Sequence, residues 1–344
     1  MKIWEVKDLG LENLTLAEKN IKPIAHDEVL VEMKAATLNY RDLIMIDGGY
    51  GPIGGKPPFI PISDGAGIVK KVGKSIKNFK LSDVVIPPFF KGWASGNMKD
   101  NTVLSSLGGK EDGVMQEFMI FKENNLVHAP KNWNCIEAAT LPCAALTAWR
   151  TIVTEGKIDK DSVVLVQGLG GVSIFAIQIA KLFNAKVIAT TSSEKRMERA
   201  KEIGADFVIN YNKETEWWKK VQEITNKKGA DIIVEVGGSK TLEQSIKCSK
   251  IGAVIGIIGV LSGGIADLPI GRVIYKASRL IGISCGNKIE LTNMIKKFNT
   301  SNTKPVIDSI FKFSDLPKAL IYMSKGQHLG KIAIDFEKII KKIK

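Results

Sequence analysis

Cysteine and histidine are scarce in this chain of 344 residues, which has four of the first and three of the second. Cys135, Cys143, Cys248 and Cys285 form no CxxC pair, and His26, His128 and His328 stand alone. That spacing excludes a closely spaced Cys/His metal site. Arginine is also rare, and no module of interleaved basic and aromatic residues occurs, which argues against nucleic-acid recognition despite a net charge of +13. No apolar run reaches membrane-spanning length; the nearest, from Ala253 to Leu261, is interrupted. The opening MKIWEVKDLG lacks the apolar core of a signal peptide. Together these absences predict a cytoplasmic protein without structural disulfides or a membrane partner.

What is present is ordinary for a globular protein: 44% hydrophobic and 25% charged residues, in a length that suits about two domains. The positive excess is spread over scattered lysines, and its field would attract a polyanionic cofactor. Its sharpest cluster, Lys338, Lys341, Lys342 and Lys344 interleaved with Ile339, Ile340 and Ile343, reads as a solvated end.

The most informative stretch is Val163 to Lys181, VVLVQGLGGVSIFAIQIAK. Val163 to Val166 is a β-branched run of the kind buried in parallel sheets. Gly168, Gly170 and Gly171 then allow a sharp turn whose N–H groups approach a pyrophosphate at the start of the following helix. The third glycine position of GxGxxG holds Ser173. Taken alone, the motif also fits an ordinary buried turn.

In chain order, the first 130 residues read as β-rich: Glu28 to Ala35, Gly67 to Val72, Asp83 to Ile86 and Met115 to Phe121 are strand candidates. Pro87 to Gly113 is a long segment without a period. Cys135 to Val153 reads as a helix interrupted near Pro142. Strands then alternate with helices: Val163 to Val166, the Gly171 helix, Lys186 to Thr190, a helix from Glu194, Phe207 to Asn210, and a helix through Trp217 and Trp218. Asp231 to Val236, a helix from Ser239, Ala253 to Gly259 and Leu280 to Ser284 complete the series. Such alternation predicts an α/β fold with a doubly wound parallel sheet. After it come a helix (Glu290 to Phe298), a short helix (Leu316 to Met323) and a strand (Lys331 to Phe336), too few for a domain of their own. The expected organisation is a substrate domain over 1–128, a dinucleotide-binding domain over 129–287, and a return to the first domain over 288–344.

This arrangement resembles the medium-chain dehydrogenase/reductase superfamily. The resemblance rests on Asn39-Tyr40-Arg41-Asp42, Gly48-Gly49-Tyr50, Pro61-Ile62-Ser63-Asp64-Gly65-Ala66-Gly67, Ala139-Thr140-Leu141-Pro142 to Trp149, and Gly330-Lys331, in the family's order and spacing. It implies a Rossmann sheet plus a β-rich GroES-like barrel domain. At the positions of the family's catalytic zinc ligands stand Asn39, Ser63 and Cys143, and Pro87 to Gly113 lacks the four cysteines of a structural zinc lobe. An amide and a hydroxyl do not replace imidazole and thiolate as strong ligands. The resemblance is therefore to the zinc-free branch, the quinone oxidoreductases and zinc-independent alcohol dehydrogenase-like proteins, with Cys143 a packed small residue.

At the end of the second strand of the alternating series, Thr191 stands where an acid would bind the ribose of NAD. Thr191, Ser192 and Ser193 with Lys195 and Arg196, and Tyr211 after the next strand, imply a pocket for the 2′-phosphate of NADPH, with NADH the second choice. The same residues also suit a strand exit and a solvated helix face, and Glu194 opposes the charge argument. The resemblance further puts Asn39 and Thr147 near the nicotinamide ring and ribose. It puts Val172, Gly237, Ile258, Gly259, Val260 and Lys331 along the cofactor.

Without a metal, reduction of a conjugated carbonyl is easier than alcohol oxidation, because the negative charge delocalises and one hydrogen-bond donor can hold it. Tyr50 is the candidate donor, with Asn39 beside it in the catalytic set. Expected substrates are a quinone, an enone or an aldehyde. A metal-free alcohol/aldehyde oxidoreductase and an NADPH-binding protein that works on a nucleic acid or a protein partner stay open. Arg279 to Gly286 resembles the edge strand through which relatives pair, so a homodimer is expected.

Overall fold

The computed structural model describes residues 1–336. The basic cluster from Lys338 to Lys344 lies outside the described residues. The first part contains β1 (Lys2–Val6), β2 (Leu14–Glu18), β3 (Glu28–Thr37), α1 (Tyr40–Ile46), β4 (Asp64–Val72), β5 (Val84–Ile86), β6 (Phe118–Lys122) and β7 (Val127–His128). A helical stretch follows, with α2 (Cys135–Ala138), a wide π-type turn over Leu141–Ala145, and α3 (Leu146–Trp149). The π-type turn has proline at its second residue, Pro142, which brings no N–H to the helical ladder.

The alternating part contains β8 (Val163–Gln167), α4 (Gly171–Leu182), β9 (Lys186–Thr191), α5 (Glu194–Ile203), β10 (Phe207–Asn210), α6 (Trp217–Ile224), β11 (Ala230–Glu235), α7 (Leu242–Cys248), β12 (Ser249–Ile257), α8 (Ile270–Tyr275) and β13 (Arg279–Gly282). The last part contains α9 (Lys288–Phe298), β14 (Ile307–Lys312), α10 (Leu316–Ser324) and β15 (Lys331–Asp335). Among the described residues no helix is long and apolar enough to cross a membrane.

The chain separates into two compact units. The first joins residues 1–146 to those from 286 onward, and its mixed sheet runs β14-β15-β3-β4-β5-β7, with β6 also paired to β3. β3 is the organising strand. Its end pairs with β15 on one side, Thr37 opposite Ala333, and with β4 on the other, Thr37 opposite Asp64. Val29, Val31, Met33 and Ala36 of β3 pack with Val69, Val85, Phe313 and Leu320 in the core of this unit.

Residues 129–146, expected with the dinucleotide fold, belong instead to the first unit. The reason is contact: Thr37 Oγ1 donates to Ala139 O at 2.9 Å, Lys131 N to Asn299 Oδ1 at 2.9 Å, and the rings of Trp133 and Phe298 lie 5.2 Å apart.

The second unit, Thr147–Cys285, is built on a six-stranded parallel sheet of order β10-β9-β8-β11-β12-β13. The strand order reverses direction between β8 and β11, which is where doubly wound sheets open a crevice at their carboxyl ends. Apolar runs explain the strands: Val164, Leu165, Val166, Ile232, Ile233 and Val234 are all essentially inaccessible. α4 is apolar almost all round and correspondingly buried from Ser173 to Ile177.

Candidate active site

In the second unit, β8 ends at Gln167 and the chain turns at Gly168, whose φ of +67° lies in the left-handed region that favours glycine. Gly168 N donates to Thr190 O at 2.8 Å, which ties the turn to β9. Gly170 caps α4, Gly171 begins it, and Val172 is half-buried in its first turn. Ser173, standing where the motif expects glycine, is buried and donates its hydroxyl to Gln167 O at 2.7 Å. The serine thus binds helix to strand with a hydrogen bond at the point where a glycine would do so by close packing.

Across the reversal point, Gln167 faces Glu235 at the end of β11. Gln167 Nε2 donates to Glu235 Oε2 at 2.6 Å and to Ser245 Oγ at 2.9 Å, and its Oε1 accepts from the N–H groups of Val236 and Gly237, both at 3.2 Å. Glu235 Oε1 accepts from Gly237 N, Gly238 N and Thr241 Oγ1 at 2.9, 3.0 and 2.5 Å, and Oε2 from Ser245 Oγ at 2.5 Å. Every partner of this fully buried carboxylate is a donor, as a buried acceptor requires. Ile258 N and Gly259 N donate to Glu235 O, and Ser262 Oγ donates to Gly237 O at 2.8 Å. Gly237, Ile258 and Gly259 are thereby brought together, while the neighbouring Val260 is exposed. The sequence reading missed Gln167, Glu235, Thr241 and Ser245. The available signal was an acid ending a β-branched run just before Gly237-Gly238.

At the end of β9, Thr191 is buried, and Ser192 and Ser193 are half-buried. Tyr211 N donates to Thr191 O at 2.9 Å and Asn212 Nδ2 to Ser192 O at 2.8 Å, which brings the exposed Tyr211 beside these hydroxyls. Lys195 is exposed and Arg196 half-buried on α5. Glu194 is engaged by Lys213 Nζ at 2.8 Å and Asn210 Nδ2 at 3.2 Å, and the Lys213 hydrogen bond holds its carboxyl below the usual range. Thr147 is buried, and its carbonyl accepts from Thr151 Oγ1 at 2.8 Å.

In the first unit, a second polar cluster forms where the end of β3 lies between β4 and β15. Leu38 N donates to Ile332 O at 3.0 Å, so Lys331, the first residue of β15, lies beside Leu38 and Asn39. Lys331 Nζ donates to Leu38 O at 2.7 Å and Asn39 Oδ1 at 2.5 Å. Asn39 Nδ2 donates to Ser63 Oγ at 3.4 Å, and Ser63 Oγ to Asp64 Oδ1 at 3.0 Å. Asp64 Oδ2 accepts from Cys143 N at 3.2 Å and lies 3.7 Å from the Lys331 ammonium. Burial raises the Asp64 pKa, and Lys331, Asn39 and Ser63 pull it back.

The Asn39 amide oxygen accepts from Lys331 and its nitrogen donates to Ser63. Lys331 is 2% exposed, and its ammonium faces Leu38, Asn39 and Asp64.

Tyr50 is half-buried next to Arg41. Burial pushes its phenol pKa up, against the pull of the Arg41 cation, so the hydroxyl is a proton carrier at neutral pH. Among the described residues no group of three or more His, Cys, Asp or Glu is placed to hold a metal.

Residues 25–131 match the family described as alcohol dehydrogenase GroES-like domain, and residues 171–300 match zinc-binding dehydrogenase. A zinc-type alcohol dehydrogenase-like protein of Schizosaccharomyces pombe is 39% identical over 316 residues, 90% of this chain and 91% of its own length. The chloroplastic NADPH-dependent alkenal/one oxidoreductase of Arabidopsis thaliana is 29% identical over 97% of this chain and 79% of its own. Among solved structures, a putative alcohol dehydrogenase from Sinorhizobium meliloti superposes with a TM-score of 0.91 at 37% identity, covering 97% of this chain and 98% of that one.

Proposed function

This chain belongs to the medium-chain dehydrogenase/reductase superfamily of NAD(P)H-dependent oxidoreductases, and from that premise we propose that it is a zinc-independent reductase. It transfers a hydride from NADPH to the electrophilic carbon of an enone, quinone or other conjugated carbonyl. The observation that carries this reading is the content of the three ligand positions. Asn39 Oδ1 is bound to an ammonium, Ser63 Oγ donates to a carboxylate, and Cys143 is the one cysteine of the three positions. This set does not fit zinc, which takes imidazole, thiolate or carboxylate and repels a neighbouring ammonium.

The residues of the second unit do fit a dinucleotide. A side chain at Gly170 would meet no protein atom within 4 Å, so packing does not demand glycine there, and the open space suits a pyrophosphate. Thr191, Ser192, Ser193, Tyr211, Lys195 and Arg196 would hold the 2′-phosphate. With Glu194 engaged by Lys213, its charge opposes that phosphate less. The glycine turn, Val172, Thr147, Gly237, Ile258, Gly259 and Val260 would line the rest.

When bound, NADPH supplies the hydride. Tyr50 donates a hydrogen bond to the substrate oxygen, where negative charge gathers as the carbon accepts the hydride pair. A proton from solvent, relayed at the Tyr50 hydroxyl, completes the reduced product. The alkenal/one reductase named among the relatives supports this substrate class.

The testing experiment measures NADPH and NADH oxidation by the chelator-treated protein with quinones, alkenals and plain aldehydes. Rapid NADPH oxidation by the conjugated acceptors alone supports the proposal. Turnover that requires added zinc, or that is confined to plain aldehydes, overturns it.

The protein acts as a homodimer in this reading, and β13 supports it. β13 is an edge of the parallel sheet, and the adjacent α8 exposes Ile270, Ile274 and Tyr275 at 66, 73 and 78%. A second copy of the chain covers such an edge by continuing the sheet.

A further inference from the structure

A primary amide offers two donors and two acceptor positions, and at Gln167 all four are taken. Nε2 donates to Glu235 Oε2 at 2.6 Å and Ser245 Oγ at 2.9 Å, and Oε1 accepts from Val236 N and Gly237 N. The Ser245 hydroxyl accepts from this amide, so its own proton goes to Glu235 Oε2 at 2.5 Å. Glu235 Oε1 faces three further donors, Gly237 N, Gly238 N and Thr241 Oγ1. Only one orientation of the amide satisfies this set: turned over, it would put Nε2 against two N–H groups and Oε1 against a carboxylate. Gln167, Glu235 and Ser245 are at most 5% exposed, so water does not repair a mismatch among them.

We propose that Gln167 and Glu235 are a pair of positioning residues for the dinucleotide, fixing the loops that follow β8, β11 and β12 at the separation NADPH requires. Gln167 immediately precedes Gly168, and its carbonyl accepts from Ser173 Oγ. The residue that ties α4 to the glycine turn therefore also holds the backbone at Gly237. The Glu235 carbonyl accepts from Ile258 N at 2.9 Å and Gly259 N at 3.3 Å, which adds the loop after β12. An apolar pair at the ends of two apolar strands is often at least as stable as a buried polar one, and what the polar pair adds is a single fixed arrangement. The N–H groups of the glycine turn hold a pyrophosphate while the other two loops line the rest of the nucleotide, so a shift of one loop against another opens the site. This assignment rests on the dinucleotide part of the proposed function and not on the 2′-phosphate pocket or the hydride acceptor.

The experiment titrates NADPH and NADH by fluorescence, alongside thermal unfolding, in the natural full chain, Glu235→Gln, Gln167→Glu and the swap that carries both substitutions. Each single substitution keeps the size of the side chain and sets like groups face to face, two donors in Glu235→Gln and two acceptors in Gln167→Glu. The swap restores the matches. An amide at position 235 turns its oxygen to Gly237, Gly238 and Thr241 and its nitrogen to position 167, where a carboxylate accepts it together with Val236 N and Gly237 N. The singles are expected to weaken NADPH and NADH alike, by at least about tenfold, because the pair holds the part of the site common to both nucleotides. The swap is expected to recover most of that loss. Singles that bind as the natural protein does, whatever their unfolding midpoints, or a swap that binds no tighter than they do, overturn the proposal. Should both singles fail to fold, the swap decides: a folded swap that binds NADPH within about tenfold of the natural affinity supports the proposal, and an unfolded or weaker one overturns it. A natural protein that binds neither nucleotide overturns the proposed function and this assignment with it. Natural binding that the singles leave unchanged overturns this assignment alone.

Discussion

The guanidinium of Arg41 lies over the ring of Tyr50, 5.7 Å from its centroid. It is also 5.0 Å from the Phe89 centroid, and Arg41 Nη1 donates to Leu107 O at 2.9 Å. Arg41 therefore ties the turn that carries Tyr50 to the long segment between Pro87 and Gly113. Within that segment, backbone bonds such as Leu107 N to Phe89 O at 3.1 Å and Lys91 N to Ser105 O at 3.1 Å form isolated bridges instead of a regular ladder.

Tyr50→Phe removes the proposed donor while keeping the ring over which Arg41 lies. Steady-state assays with an enone are expected to show kcat reduced about 100-fold, with the NADPH Kd unchanged. Burial keeps the phenol above its ordinary pKa, so the natural enzyme should show no loss of Tyr50 donation below about pH 10. An unchanged kcat in Tyr50→Phe would remove the residue from the reaction.

Thr191→Asp places a carboxylate where the 2′-phosphate of NADPH would lie. Fluorescence titration should show NADPH affinity falling at least about tenfold, which is 1.4 kcal/mol, with NADH gaining relative to it. Equal effects on both nucleotides would put the phosphate pocket elsewhere.

Glu235→Ala leaves the Gln167 amide and the N–H groups of Gly237 and Gly238 without their acceptor. Denaturant unfolding should register a loss of about 3 kcal/mol. Thr241→Ala, which removes one of the donors to the same carboxylate, should cost about 1 kcal/mol. Coupling between the two substitutions in a double-mutant cycle checks that they act on one network.

Asp42 gives a pH dependence of definite sign. Its carboxyl is fully buried at the start of α1, accepts from Asn39 N at 2.8 Å, and is pushed up to about 6 by burial, with the Arg41 cation pulling the other way. Between the ordinary carboxylate pKa and about 6 the native state holds a proton that the unfolded chain has released. Stability from this group is thus greatest below about pH 4 and falls as pH rises to 6, by at most about 3 kcal/mol. Asp42→Asn removes the dependence, so the natural protein should gain on the variant as pH falls from 7 to 4 in urea unfolding. A constant difference across that range would contradict the raised pKa.

Light scattering should give twice the chain mass, and Ile281→Asp on β13 should give the single mass without loss of NADPH binding. A single mass for the natural protein at every concentration would exclude the dimer.

The parallel sheet was legible because its central strands, β8, β9 and β11, are largely buried and read as β-branched runs. Phe207 to Asn210 was bounded correctly, and β8 and β9 each extend one residue beyond the reading. The starts of some helices were not legible. The helix expected from Ser239 begins at Leu242, because Ser239 Oγ donates to Ser262 O at 2.6 Å and Gly238 sits at a φ of +91°. β1, β2, α1, β7, β14 and α8 escaped the sequence reading. β14 alternates half-buried and exposed residues, and α8 presents an apolar face that no residue of the described chain buries.

For the site, residue types alone put an amide, a hydroxyl and a thiol at the family's zinc-ligand positions and marked the glycine turn, because both readings depend on chemistry local to a few positions. Ser173 shows the limit of that reading: its hydroxyl works as the third glycine would, but only the folded turn brings Gln167 O within its reach. The contact between Lys331 and Asn39 lay wholly beyond the sequence. Their side chains are separated by 292 positions and meet only because β15 returns beside β3. Local pattern determined most of the alternating elements and the residue types available at the site. Long-range strand pairing decided which charge meets which, since a buried ammonium takes its partners from whatever the fold places within a few ångströms.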